Sequence, residues 1–314
     1  MKMLIHDACK YAMDGMFYRY KFQNIETGGT CDARYCYSVW MRHLIFYYEI
    51  NNDLPCIVAE FGPGDTIGTG LMALLCGAEN YYALDFIRYA GIRDIYHVLE
   101  QLLEMLQARE NIPDDKEFPH LYPKLISYEF PHEILSDEFL RQCLDHARLN
   151  RIRRAVQAVK FGKESDMIHY LAPWWKENLS NVKCDMIFSQ AVFEHIDEYE
   201  DAHKMIGTIA KHGAVISHEI DFSCHGCSEQ WNGQWRYGRL LWKMIYGSRP
   251  YFLNRASLTA HIKAMKMSGI KIRKIMRTRG KDGILRRELC HQYRGISDRD
   301  LVTKNAYILG VMEK

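Results

Sequence analysis

Ile57-Val58-Ala59-Glu60-Phe61-Gly62-Pro63-Gly64-Asp65-Thr66-Ile67-Gly68 is the stretch whose reading decides the fold. Four apolar residues around one acid read as a buried strand. Two glycines flanking a proline break the strand into a turn, and the apolar run Leu71–Leu75, set between Gly68 and Gly77, forms a helix. A strand, a glycine turn and a helix in that order bring bare backbone close to a nucleotide-like ligand at the carboxyl edge of a parallel sheet. Glu60 adds a carboxylate at the mouth of the turn, where Coulomb energy favours a cation over a pyrophosphate.

Working outward, residues 1–54 read as a helical front section, with helically spaced apolar pairs such as Trp40 with Leu44 and Phe46 with Ile50. Tyr81–Phe86 reads as a second strand with Asp85 at its tip. Residues 87–166 are too many for a simple βαβ crossover, which closes in about 30 residues. They hold an amphipathic helix (Leu99, Leu102, Leu103, Leu106), a proline-containing stretch from Pro113 to Pro131, and a helix predicted over about Asp137–Val159. The excess reads as an inserted helical cap. Its arginines at 148, 151, 153 and 154 read as a solvated helix face. Alternation then resumes with strands at Met167–Leu171, Cys184–Ser189, Ala214–His218, Ile270–Ile275 and Ala306–Met312. Helices are expected at about Glu198–Lys211 and Ser257–Met267. This order predicts a mostly parallel α/β sheet with helices on both faces, over a domain spanning 55–314.

The 314 residues carry a net charge of +2, so nothing in the global charge calls for nucleic acid. No apolar run approaches the ~20 residues of a membrane span. The ten cysteines show no framework spacing, which points to reduced thiols and a cytoplasmic location.

Two ligands fit an acid-tipped second strand after a glycine turn: a nicotinamide or flavin dinucleotide, and S-adenosylmethionine. Gly62, Gly64 and Gly68 are spaced one residue longer than the dinucleotide fingerprint. Glu60 and Asp65 flank the place a pyrophosphate would occupy. Both details favour S-adenosylmethionine. An NAD(P)-dependent oxidoreductase, or a module that binds S-adenosylmethionine without turnover, are the competing readings.

On Glu60–Gly64, Ala83–Phe86, Cys184–His195 and Lys211–His218 the chain resembles class I S-adenosylmethionine-dependent methyltransferases. Ser217–Phe222 and Trp231–Trp235 are further similar to methyltransferases found with bacterial surface-polysaccharide genes. The resemblance implies a Rossmann-like seven-stranded sheet with the last strand antiparallel. It implies that Glu60, Phe61, Gly62, Pro63 and Gly64 lie under the methionine part of the cofactor, that Asp85 holds the ribose and Phe86 lies beside the adenine. Ala172 falls at a usual adenine contact, where the family more often has an acid, and Gln190 falls in the pocket lining. The expected acceptor is a small or glycan-linked molecule, methylated on oxygen.

Transfer to a hydroxyl requires removal of a proton, a task suited to histidine near neutral pH. His195, which opens the helix after the fourth strand, and His218, Asp221 and His225, after the fifth, are the candidates, with His225 or His218 as base and Asp221 in support. Glu194-His195 fits a helix cap equally well. A metal is not expected, because Ala191 stands where some methyltransferases place a further acid. Cys224-His225-Gly226-Cys227 lacks a second ligand pair for structural zinc. Trp231, Asn232 and Trp235, crowded with other aromatics over 221–256, could hold a sugar face, or form the core of a helical lid. Arg249 and Arg255 could hold an acceptor anion or cap the next helix.

Overall fold

The first strand, β1 (Ile57–Phe61), is buried from Val58 onward, as its apolar run requires. The structure, a computed structural model, describes residues 9–12, 29–88, 94–177, 179–249 and 251–313. Around β1 are arranged β2 (Asn80–Leu84), β3 (Ile168–Leu171), β4 (Cys184–Gln190), β5 (Ala210–Asp221), β6 (Ile270–Arg279) and β7 (Thr303–Met312). They form one seven-stranded sheet in the order β3-β2-β1-β4-β5-β7-β6. Neighbours from β3 to β5 pair in parallel, while β7 runs antiparallel to both β5 and β6. This is the expected α/β architecture, with the strand order typical of the methyltransferase Rossmann-like fold. The chain leaves β1 in opposite directions through β2 and β4, so the crevice at the carboxyl end of β1 is the topological switch point at which such sheets bind ligands.

One face of the sheet is covered by α1 (Ala33–Asn51), α2 (Gly68–Leu75), α3 (Ile95–Ala108) and α5 (His146–Lys160), and the other by α6 (Tyr199–Ile209) and α7 (Leu258–Met267). α1 is buried along most of its length. One side packs on the sheet, where Trp40 meets Phe188 and Phe46 meets Tyr307 at ring separations of 5.9 and 5.1 Å. The other side is covered by the 109–130 stretch. Tyr37 donates to the carbonyl of Glu110 and Ser38 to that of Pro113. The wholly buried Arg42 guanidinium donates to the Pro113 and Pro123 carbonyls and to Tyr128, with Asp115 at 3.3 Å. These partners offset the desolvation of a buried charge. Most of residues 1–32 lie outside the described residues.

Strands β5, β6 and β7 run longer than expected, and one predicted helix is two. The helix predicted over 137–159 is divided into α4 (Asp137–Cys143) and α5, because Asp145 leaves helical geometry and accepts the N–H groups of Ala147 and Arg148 as an N-cap. β5 begins at Ala210 rather than Ala214. A bulge absorbs Lys211–Ala214, with Gly213 at φ +80°. Three of the four α5 arginines are paired: Arg148 with Glu79, Arg151 with Glu79 and Asp166, Arg153 with Glu100.

Candidate functional site

The turn after β1 closes against the loop after β4. Gly62 has φ +66°, and a Cβ there would stand 2.5 Å from Cγ2 of Val192. Gly64 has φ +76°. Only glycine fits this bend without strain. Gly68 has a different reason for being bare: a Cβ would meet the Cys36 sulfur at 2.5 Å, so it serves the seat of α2 on α1. Thr66 ties the turn to the residues ahead of α1, through its N–H to Thr30 Oγ1 at 3.0 Å. Phe61 is wholly buried, with its ring between Trp174 and Phe193. Its side chain is core, and any ligand contact there belongs to the main chain. Pro63 is buried too.

Glu60 departs from expectation in charge. Its carboxyl is buried and takes the Tyr81 hydroxyl hydrogen, and burial pushes its pKa up to about 8. At neutral pH it is mostly protonated, so the standing negative lip inferred from sequence is absent until a cation draws the proton off. Asp85, at the end of β2, accepts from the Phe86 N–H at 2.7 Å and from the Tyr170 hydroxyl at 2.9 Å; burial lifts it to about 6. Phe86 is 43% exposed and packs with Trp175 and Tyr251 at ring separations of 4.3 and 3.7 Å. Trp175 and Tyr251 were not singled out in the sequence; the tandem tryptophans after β3 were the available signal. Ala172 is half-buried against the core and precedes Pro173.

Gln190 connects two elements. Its Oε1 accepts from His43 Nε2 at 3.1 Å, and its Nε2 donates to Glu219 at 3.3 Å. His43 Nδ1 lies 2.6 Å from Ser217 Oγ, which lies 2.8 Å from the Tyr307 hydroxyl. With the proton of His43 on Nε2, every donor in this line points toward Glu219, which Asn305 also meets. His43 escaped sequence reasoning because a histidine on an aromatic helix looks like core.

The candidate bases separate. His218 is wholly buried beneath the rim, with Nδ1 2.8 Å from Ser189 Oγ and its ring 4.5 Å from that of Phe193. His203 and His261 flank the same Phe193 ring, and burial holds His218 and His261 at about 3. His218 therefore belongs to the core, and its pairing with His225 as an alternative base is corrected. His225, at φ +45°, has its Nε2 3.5 Å from Asp221 Oδ2, and its ring stands 5.0 Å from that of His195. His195 places Nδ1 3.1 Å from the Phe252 carbonyl and is lowered to about 4 by burial and by His225. Glu194, beside it, is buried, and desolvation with Glu219 and Asp221 nearby holds its carboxyl well above the usual range.

The expected acceptor contacts are mostly structural. Asn232 spans the Leu301 carbonyl and the Ile284 N–H, at 2.9 and 2.6 Å. Trp235 is wholly buried and donates to the Arg255 carbonyl. Trp231 packs where a Cβ on Gly280 would stand 2.1 Å from its ring. Arg249 donates to the carbonyls of Ile245 and Tyr11. Arg255 binds the Tyr237 carbonyl at 2.7 Å but also lines a cavity of about 510 Å³, with Arg239, Trp242, Lys243 and Asp197. That cavity is not lined by the glycine turn. Asn254 also lines it, and its side chain holds the Phe193 and Ile196 carbonyls. Cys224 and Cys227 sit in a small core with Tyr237, Trp242, Ile245 and Leu253.

Buried acids and histidines make stability depend on pH in opposite senses. Glu60 and Glu219, each near 8, bind protons more tightly folded than unfolded, so their contribution is lost as pH rises from about 4.5 to 8. His43, His195, His218 and His261 bind protons less tightly folded, so theirs is lost as pH falls below about 6.5. Above pH 6.5 the histidines no longer contribute; the carboxyls then lower stability by at most about 1.4 kcal/mol per pH unit each, opposed in part by the single Cys224 thiol, which hydrogen bonding from Cys227 lowers to about 6. The melting temperature of the ligand-free protein is expected to fall between pH 6.5 and 8, and Glu60→Gln should flatten part of that slope. A flat or rising profile in wild type would contradict the assignment.

No family model matches the chain, and no curated protein matches it. Solved structures similar to it include an S-adenosylmethionine-dependent methyltransferase from Mesorhizobium loti, with 11% identity, 82% of this chain and 91% of that chain covered, and a TM-score of 0.38. Phosphoethanolamine N-methyltransferase 2 of Haemonchus contortus, solved with S-adenosyl-L-methionine, is 9% identical, with 90% of this chain and 57% of that chain covered and a TM-score of 0.43. The [4+2]-cyclase SpnF is also 9% identical, with 86% and 79% covered and a TM-score of 0.38. These likenesses are too low to carry function; the fold rests on the strand order. Among the described residues, no helix is long and apolar enough to cross a membrane.

Proposed function

We propose that this protein transfers a methyl group from S-adenosylmethionine to an oxygen of a small or glycan-linked acceptor, in the cytoplasm. The observation that supports this reading is the pairing of a glycine bend at the sheet's switch point with two buried acids, Glu60 beneath it and Asp85 at the next strand end. The residues present fit the cofactor: Gly62 is bare where any side chain would strike Val192, and Glu60 can ionise when a cation arrives. Gly62, Pro63 and Gly64 would offer main chain to the methionine portion and Asp85 its carboxylate to the ribose. Phe86 with Trp175 would offer aromatic faces to the adenine, and Gln190 would line the pocket. When bound, the cofactor supplies an electrophilic methyl on a sulfonium. The chain's own part is to hold the two reactants in line, exclude water and move a proton. The exposed His225, with Asp221 3.5 Å away, is our choice for the last task. The resemblance of Ser217–Phe222 to methyltransferases found with bacterial surface-polysaccharide genes supports a sugar acceptor.

Calorimetry tests the cofactor directly. S-adenosylhomocysteine is expected to bind with one-to-one stoichiometry and NAD not at all. Binding of NAD alone would replace this reading with the oxidoreductase one.

A further inference from the structure

Glu194 and His195 leave the carboxyl end of β4, and His225 follows the carboxyl end of the neighbouring β5. One carboxylate oxygen and one ring nitrogen from each histidine lie within 4.8 Å of one another. Donors about 2.1 Å from a single tetrahedral ion stand roughly 3.4 Å apart, so the three need close by little more than an ångström.

Two further observations concern what these donors lack. Glu194 is only 3% exposed; its Oε1 takes the Asp221 N–H at 3.3 Å, while its buried Oε2 has no hydrogen-bond partner. An unmet buried carboxylate oxygen is costly, and a cation would satisfy it. His195 Nδ1 is 3.1 Å from the Phe252 carbonyl, which fixes the proton on Nδ1 and leaves Nε2 with a free lone pair. A backbone carbonyl behind a metal-binding imidazole is the usual way its tautomer and ring plane are set. Asp221 Oδ2, 3.5 Å from His225 Nε2, adds negative charge at the same place.

We propose that Glu194, His195 and His225 form a binding site for one divalent transition-metal ion. Two imidazoles with one carboxylate suit manganese, cobalt, iron or zinc better than the all-oxygen preference of calcium or magnesium. The alanine at 191 argued against a metal in the sequence; the structure draws the third ligand from the loop after β5 instead. Three protein donors leave at least one coordination position for an outside oxygen, and His225 is exposed, so the ion is reachable from solvent. The site adjoins the glycine turn: Gly62 lies against Val192, and Tyr251, on the Phe86 ring, is followed directly by Phe252, on His195. Its role in holding an acceptor oxygen rests on the proposed function, where the ion would occupy the His225 lone pair and leave proton removal to the adjacent Asp221; the binding of the ion does not rest on it.

The test uses the full chain, stripped of metal and without cofactor, dialysed against Mn²⁺ and, separately, Co²⁺. One equivalent is expected, with a cobalt spectrum of nitrogen and oxygen ligation. His225→Ala and Glu194→Gln should each weaken binding at least about 100-fold, whereas the Cys224→Ser/Cys227→Ser double variant should leave it unchanged. His225 is exposed, so its variant is expected to fold, and its melting curve checks this. Calorimetry with S-adenosylhomocysteine on the His225 variant should match wild type. Absence of stoichiometric binding, wild-type affinity in the His225 and Glu194 variants, or a cobalt–thiolate band would overturn the site. Normal Mn²⁺ binding in a protein that ignores S-adenosylhomocysteine would sink the proposed function and leave the metal site standing.

Discussion

Gly62→Ala is expected to weaken S-adenosylhomocysteine binding by roughly 100-fold or more. Two costs combine. The residue sits at φ +66°, where a Cβ costs about 1–2 kcal/mol. The new methyl would also stand 2.5 and 2.7 Å from the two Val192 methyls, an overpacking worth about 1–3 kcal/mol. Relief requires the turn or the Val192 loop to move, and either shift takes the main chain away from the ligand. Gly213→Ala is the control. It shares a positive φ of +80° but meets nothing within 4 Å, and it lies at the amino end of β5. It should lower stability modestly and spare binding. Equal losses in both variants would mean that Gly62 matters only for folding.

Asp85→Ala should cost roughly 10–100-fold in affinity, the scale of one or two hydrogen bonds to a charged group at about 1.5–3 kcal/mol. The Phe86 N–H and the Tyr170 hydroxyl engage one lone pair on each carboxylate oxygen, which leaves acceptor capacity for a ribose. Tyr170→Phe removes one of these supports but keeps the carboxylate, so its effect should be clearly smaller. Titration by calorimetry of both variants decides the matter; wild-type affinity in Asp85→Ala would remove Asp85 from the ligand site.

What was legible in the sequence follows from how far apart the interacting residues lie. β1, the glycine turn and the acid at the end of β2 are local patterns, and local patterns survive without tertiary knowledge. The capping role of Asp145 was also local, but it was hidden inside an amphipathic stretch that continues on both sides. Trp231, Asn232 and Trp235 resemble a sugar platform because aromatics among amides look the same whether they face a ligand or a core. Their actual partners, Gly280, Ile284 and Leu301, come from the later stretch between β6 and β7, which no local pattern connects to them. The line from Tyr307 through Ser217, His43 and Gln190 to Glu219 draws on four elements and was illegible for the same reason. The ionisation of Glu60 was misjudged because charge depends on burial, and the reading placed the acid at the lip instead of beneath it.

The position of β7 has a consequence for assembly. In the sheet β6 has a single neighbour, and that neighbour comes later in the sequence. Until residues 303–312 arrive, β5 and β6 each present a row of unmet amides and carbonyls, and the gap between them is one strand wide. A fragment lacking that stretch would expose two sticky margins at once, an invitation to a strand from another copy of the chain. Clipping near the carboxyl terminus should therefore produce aggregates before it produces a smaller soluble domain.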